Sequence, residues 1–525
     1  MALTVEAGAN TRSWRQVWWR RAVSAAMLLT RSEWVLVGLV ILAYAYFFSP
    51  ANTNTLSRYD MVQALAHGTA IIDAHAANTI DVSFFNGHYY SPRSIGLSLI
   101  AVPILGVLHI IETHTRLTTI TVQIGLLSMC TVLPAAIAGV IAFERLLLRL
   151  RPRLAGTPIP VIVTGAFALG TLYYSFGAMF LSHAFAGGLL MTGFYLLYRA
   201  KTARRADILL VVAGLLVGLS VISEYPTALV VLIFCVYVWA SFPGRRARML
   251  ALFVAGTLPW ALVLGWYDWF AFGNPFHLSY DYVTGTEFNG QHQGLFGITW
   301  PHPGAYWQTL IWPRGLLVTS PLLALVPIGF YRWWRSAKRP PAEALVCVAV
   351  VVVYCSVIAS YFLPMAGENN PGPRLLTPML PFACLSLAWV ADDARRWVRA
   401  GFGLLMAFGV LLSFLWTALG TREYHTYPTY PITGLFVPLL QTGRNPVANG
   451  DTPPNLATLF LHVSPHASIY ILLVLLAAWP LWAGFQLWRY QGPRALSIGA
   501  PADVSASVPG TAEPAAAAGD IQTAP

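Results

Sequence analysis

Long apolar runs separated by short arginine clusters constrain this chain more than any other feature. Thirteen such runs lie at about 34–50, 94–111, 119–142, 158–181, 183–199, 207–223, 225–242, 249–271, 313–331, 342–362, 373–390, 397–419 and 467–488. Most approach or exceed the roughly 18 residues that let a helix cross a bilayer, where every backbone polar group must be satisfied internally. Only 10% of the residues are charged and 57% are hydrophobic, whereas a soluble domain carries about a quarter charged. The expected fold class is an all-α polytopic membrane protein.

Basic residues stay on the cytoplasmic side of a membrane. Most of the 32 lysines and arginines fall in clusters around residues 12–31, 145–153, 199–205, 245–248, 332–339, 395–399 and 489–494. These clusters can share one side only if residues 94–144 cross an odd number of times. The run 94–111 is short and holds Pro103, so it is expected as a juxtamembrane or re-entrant helix. That leaves about 12 transmembrane helices with both termini cytoplasmic. The outer connections are then 51–118, 272–312, 363–373 and 420–466, with tight turns at Ser182–His183 and Ser223–Tyr225. The chain divides into a cytoplasmic segment 1–33, one transmembrane domain 34–490 and an Ala/Pro/Ser-rich cytoplasmic tail 491–525, expected to be disordered. The first run ends without a small-residue cleavage site and reads as a retained helix.

Positive charge is dispersed between apolar runs, which argues against nucleic acid as a partner. The cysteines lie in or beside apolar runs without metal-ligand or disulfide spacing. No soluble catalytic domain is visible, so any chemistry belongs at the membrane. The first long outer connection carries the unusual residues. Met61, Val62, Leu65 and Ala66 suggest a short amphipathic helix in the interface beside Tyr59. Asp73, Asp81, Asn86, His88, Tyr89, Tyr90 and Arg93 follow, a density of polar groups that a plain linker would not need.

This connection, SRYDMVQALAHGTAIIDAHAANTIDVSFFNGHYYSPRSIGLSLIAVP, resembles the first outer loop of GT-C superfamily membrane glycosyltransferases. The likeness is to the protein-mannosyltransferase and aminoarabinose-transferase type, glycosyltransferase family 39. Further similar stretches are GTLYYSFGAMFLSHAFAGGLL, GLLVGLSVISEYPTAL, NPFHLSYDYVTG with GLFGITWPHP, WPRGLLVTSPLLALVPIGF and GENNPGPRLLTPMLPF. Their shared order carries the resemblance up to about residue 390. It implies transfer of a sugar from a polyprenyl-phosphate donor, with inversion, at the outer face of a bacterial cytoplasmic membrane. The acceptor is left open among protein, lipid and glycan.

The resemblance also implies roles. Relatives place an acidic pair just before the Arg-Tyr, but here Asn54-Thr55-Leu56-Ser57 stands there. Asp81 is the preferred general base, with a turn-capping Asp as the alternative. Asp60 is the second acid, with an N-terminal helix charge as its alternative. Arg93 and Arg374 are expected at the donor phosphate, where a guanidinium fork suits the leaving group; interfacial snorkelling is the alternative for each. Arg58, His183, Glu224 and Tyr90 complete the substrate-binding set; a structural histidine at a helix end is the alternative for His183, and a cap on the next helix the alternative for Glu224. Arg58 could instead pair with Asp60 or a lipid headgroup. Tyr280, Asp281, Tyr282, Glu287 and His292 read as solvated loop residues, with contact to the acceptor as the alternative. No cofactor is implied, and a divalent metal is left open, since no His/Asp pair has ligand spacing. Two other readings remain: a transporter or flippase of lipid-linked envelope precursors, and a non-catalytic relative. The spans hold few charges and show no half-to-half similarity, which weighs against transport.

Overall fold

A computed structural model describes residues 30–115, 119–336, 341–365, 371–420, 431–446 and 450–492. The expected N-terminal segment to residue 29, Lys338, Arg339, Arg494 and the tail from 493 lie outside the described residues. The chain is a helical, multi-pass membrane protein. Its main helices are α1 (Arg31–Tyr46), α2 (Thr53–Ala66), α3 (Ile95–Thr115), α4 (Ile120–Leu150), α5 (Ile159–Leu169), α6 (Ser182–Ala200), α7 (Ala206–Ser223), α8 (Ala228–Ser241), α9 (Arg246–Phe272), α10 (Ala342–Ser360), α11 (Arg396–Leu419) and α12 (Pro465–Arg489). Among the described residues, seven helical segments are long and apolar enough to cross a membrane, including Arg374–Ala391. The run at 94–111 forms α3, of which Ile95–Ile110 is apolar.

Three apolar runs are broken helices instead of continuous ones. Residues 158–181 split into α5 and Leu172–Gly177, and 313–331 into Leu316–Thr319, Pro321–Leu325 and the start of Val326–Arg335. Residues 373–390 begin as a 3₁₀ turn, Arg374–Met379, that holds Pro378. Prolines at 321, 327, 378 and 381 remove amide donors and clash with the preceding turn. Elsewhere glycines draw helices together, as is usual where lipid gives no hydrophobic drive between them. A Cβ on Gly214 of α7 would meet the Phe253 carbonyl of α9 at 2.1 Å and the Gly256 Cα at 2.8 Å. Gly188 of α6 abuts Ala135 of α4 in the same way.

The helix α2 differs from expectation. Asn52 caps it through a reciprocal pair with Thr55, so it starts at Thr53. Residues 57–62 are all buried, so it is inserted among its neighbours and does not float amphipathically in the interface. Asp60 therefore sits two turns into the helix, beyond the reach of its N-terminal dipole.

The arginine clusters and the polar connections occupy opposite ends of the same helices. α6 runs from His183 to Arg199 and α7 returns from Arg205 to Glu224, each about 27 Å long at 1.5 Å per residue. The basic end is tied by ion pairs: Lys201–Glu343 at 2.7 Å, Arg248–Asp207 at 2.5 Å and Arg332–Asp393 at 2.6 Å. Arg151 pairs with buried Asp392 and stacks 4.7 Å over Trp389, while the Tyr490 hydroxyl donates to Asp392 at 2.7 Å. Asp392→Ala should cost about 3–5 kcal/mol, because it leaves a buried guanidinium uncompensated. A thermal melt in detergent that equals wild type would contradict this.

Candidate functional site

A short β-hairpin sets up the chemistry. Strands β1 (Ser83–Phe85) and β2 (His88–Tyr90) pair antiparallel with Ser83 opposite Tyr90. Asn86 and Gly87 form the connection, both with positive φ, at 49° and 86°. An Asn-Gly pair takes these angles easily and matches the twist of the flanking strands. Beyond the hairpin the register carries Asp81 opposite Pro92, and Arg93, one residue on, reaches back to Asp81. The Arg93 Nε donates to Asp81 Oδ2 at 2.5 Å, and its Nη2 reaches the same oxygen. Asp81 is buried, and its Oδ1 finds no hydrogen-bond partner among the described residues. Burial opposes the Arg93 charge, but the Asp81 carboxylate outweighs it and raises the guanidinium pKa.

The second group is built at helix starts. Arg58 of α2 donates to Asn54 Oδ1 at 3.3 Å, to the Ser94 carbonyl at 3.1 Å and to Ser182 Oγ at 2.8 Å. Ser182 in turn donates to Glu224 Oε2 at 2.6 Å, and His183 Nδ1 lies 2.9 Å from the same oxygen. Burial alone would raise the Glu224 carboxyl, yet His183, the Ser182 hydroxyl and Arg58 hold it at about 2. Glu224 is thus ionised at physiological pH. Burial pulls Arg58 down to about 10, against the supporting Glu224 charge, which still leaves it a cation.

Both groups face one cavity of about 540 Å³ at the end of the bundle opposite the arginine clusters. Arg58, Arg93, Arg374, His183 and Glu224 line it, with Tyr280 and Tyr361. The rest of the wall is largely apolar, including Leu229, Leu264, Leu278 and Val357. α3 and α6 begin at this cavity, at Ser94–Ile95 and Ser182–His183, so their positive ends add to its potential. Three guanidiniums against the carboxylates of Glu224 and Asp81 leave one net positive charge. An apolar chamber with a cationic floor and a buried carboxylate beside it suits a lipid phosphate and a proton acceptor.

No protein-family model matches the sequence, and no curated protein matches it. Solved structures do resemble it. ArnT from Cupriavidus metallidurans bound to undecaprenyl phosphate, a GT-C glycosyltransferase, superposes with a TM-score of 0.51 at 12% identity. The match covers 87% of this chain and 77% of that one. The chain has the GT-C fold. Looser matches are the apo state of the same ArnT (TM-score 0.46, 12% identity, 90% and 76% covered) and the archaeal oligosaccharyltransferase AglB from Archaeoglobus fulgidus, in complex with an inhibitory peptide and a dolichol-phosphate (0.44, 13%, 89% and 58%).

Within this fold the residues singled out from sequence separate into two sets. Arg58, Arg93, Arg374, His183 and Glu224 converge on the cavity, and Asp81 abuts it through Arg93. Asp60 and Tyr90 do not line it. Asp60 lies two residues beyond Arg58, about 200° around the helix at 100° per residue, so the two cannot share a face or pair. Its Oδ1 accepts instead from Asn78 at 3.2 Å, and burial pushes its carboxyl up to about 6. Tyr90 packs 5.1 Å from the Phe272 ring in a satellite core with Met61 and Tyr267. Asp281 and His292 are exposed, as a solvated loop requires, while the Glu287 side chain lies outside what is described.

Tyr280 departs from its reading as a loop residue: it is partly buried and forms a cavity wall edge-to-face with Tyr225, with centroids 5.5 Å apart. Tyr361, which no sequence signal marked, also lines the cavity and donates to Gln291 at 2.7 Å. Among the described residues no three His, Cys, Asp or Glu side chains gather as a metal cage. Glu224 is committed to Ser182 and His183, and Asp81 to Arg93.

Proposed function

We propose that the chain transfers a sugar from a polyprenyl-phosphate donor to an acceptor, with inversion, at the outer face of a bacterial cytoplasmic membrane. The observation that carries this reading is the convergence of Arg58, Arg93 and Arg374 on one apolar-walled cavity with the Asp81 carboxylate beside it. The GT-C fold, and the undecaprenyl phosphate held by ArnT, support it. The acceptor's oxygen attacks the anomeric carbon while Asp81 takes its proton through Oδ1. The bond from that carbon to the phosphate oxygen breaks, and polyprenyl phosphate leaves with its negative charge held by the arginines. Neighbouring isoprene units lie along Leu229, Leu264 and Val357. Arg58 is positioned by Ser182, which Glu224 holds in turn, with His183 against the same Glu224 oxygen. Both termini are then cytoplasmic, and the acceptor arrives from outside.

The test is release of polyprenyl phosphate from a labelled polyprenyl-phosphate sugar by purified protein, with membrane extract as acceptor source. Turnover above a protein-free control is expected. Because arginines supply the positive charge and the carboxylates are already engaged, turnover should persist in excess EDTA within about twofold. Complete loss in EDTA, restored by a divalent ion, would contradict the all-arginine account of the leaving group.

A further inference from the structure

The proposed reaction gives no task to the aromatic part of the cavity wall. Ser83, two residues past Asp81, donates through Oγ to the Ser279 carbonyl at 2.7 Å, and the Thr284 amide donates to the Val82 carbonyl at 3.1 Å. Residues 279–284 are thereby laid along the strand that follows Asp81, and Tyr280 among them lines the cavity. The Tyr280 ring meets Tyr225 edge-to-face at 5.5 Å and lies 6.4 Å from the Phe296 ring. Tyr225, Phe296 and Tyr361 line the cavity as well.

Phe296 is held there against its backbone preference. Its φ is 53°, in the left-handed region that a bulky side chain rarely enters, between Gly294 at 59° and Gly297 at 83°. Buried Gln291 fixes it: Nε2 donates to the Phe296 carbonyl at 2.7 Å, and Oε1 accepts from the Tyr361 hydroxyl at 2.7 Å. The Phe362 amide donates to the Gly297 carbonyl at 2.9 Å, which closes this strap onto the residues just after α10. Strain of this kind persists only where the surroundings over-determine it, and it concentrates where a ligand is held.

In the transferase reading the sugar hangs from the phosphate at Arg93 with its anomeric carbon toward Asp81, which sets the ring beside Tyr280. Aromatic faces cover the C–H surfaces of a sugar, and tyrosine hydroxyls can bond its hydroxyls. An ammonium is served poorly here. Among the described residues, the charged or titratable groups lining the cavity, tyrosines aside, are Arg58, Arg93, Arg374, His183 and Glu224. Glu224 is engaged by Ser182 and His183, and Asp81, outside the lining, is engaged by Arg93 and keeps Oδ1 for the acceptor's proton. A cationic sugar would face three guanidiniums without a carboxylate of its own.

We propose that Tyr225, Tyr280, Phe296 and Tyr361 form the subsite for the donor's sugar, and that this subsite takes an uncharged sugar, not an amino sugar. This rests on the transferase reading. The experiment measures Kd for the full-length protein in detergent. Its probes are undecaprenyl phosphate and two matched pairs of undecaprenyl-phosphate-linked sugars, a hexose and a pentose, each with and without one amino group. In whichever pair binds better, wild type should hold the neutral sugar at least tenfold more tightly than its amino counterpart. Phe296→Gly removes the ring and suits the positive φ, so its melting temperature should equal or exceed wild type. It should weaken binding of the neutral sugar-linked carrier at least tenfold and change that of bare undecaprenyl phosphate less than twofold. Tyr280→Ala should do likewise. Equal or tighter binding of the amino sugar would overturn the uncharged-sugar assignment. Sugar-linked binding that is unchanged in both variants, or that falls only in step with the bare carrier, would overturn the aromatic subsite. Failure of wild type to bind undecaprenyl phosphate would overturn the transferase reading and this subsite with it.

Discussion

Asp81→Asn is expected to lower sugar transfer by about 100- to 10,000-fold, the usual range for loss of a positioned general base. The same change should leave affinity for undecaprenyl phosphate equal or higher. Asparagine cannot take the acceptor's proton, but it retains the shape and an oxygen toward which Arg93 still donates. It also removes one of two carboxylates near three guanidiniums, so the field at the phosphate becomes more positive. This pairing of outcomes separates the catalytic role from a structural one. Were Asp81 merely the clasp of the hairpin, its loss would free Arg93, and carrier affinity would fall together with turnover. Kcat and carrier Kd measured on one preparation decide between the two.

Arg374→Ala should weaken undecaprenyl phosphate binding by about 10- to 100-fold, the equivalent of roughly 1.5–3 kcal/mol for a hydrogen bond to a charged group. Arg374 opens the 3₁₀ turn that precedes an almost wholly buried helical segment, so its backbone is held by tertiary packing. Arg374→Lys should recover part of the loss, since an ammonium keeps the charge and forfeits the fork. Unchanged affinity in the alanine variant would remove Arg374 from the phosphate site. The same truncation at Arg58 is less informative, because it strips Glu224 of a cationic neighbour and disturbs the Ser182 link.

The membrane class and the segregation of arginines were legible because both depend on composition along the chain, which burial in lipid enforces locally. The broken helices at 158–181, 313–331 and 373–390 were less so: hydropathy registers their apolar content, while their shape is set by prolines and by neighbours that satisfy the freed backbone. In the site, Asp81 and Arg93 were each singled out, but their pairing was not: the hairpin register sets Asp81 opposite Pro92, and only the folded loop brings Arg93 back onto it. Arg58 and Asp60 were misjudged as a possible pair because the start of α2 was not fixed; once Asn52 caps it, the two residues point apart. Tyr90 alternates with Tyr89 across a two-stranded ribbon, and only the position of Phe272 decides which ring is inward. Tyr361 and Tyr280 enter the cavity from connections far apart in sequence, and nothing local announces that.

The central claim is that this cavity holds a lipid phosphate. A structure of the protein determined with undecaprenyl phosphate tests it most directly. The account predicts the phosphorus between Arg93 and Arg374, the chain of the carrier along Leu229, Leu264 and Val357, and the Asp81 carboxylate facing the space where the anomeric carbon would sit. Phosphate bound instead at the opposite end, among Arg151, Arg199 and Arg248, with the cavity excluded from the lipid, would contradict it.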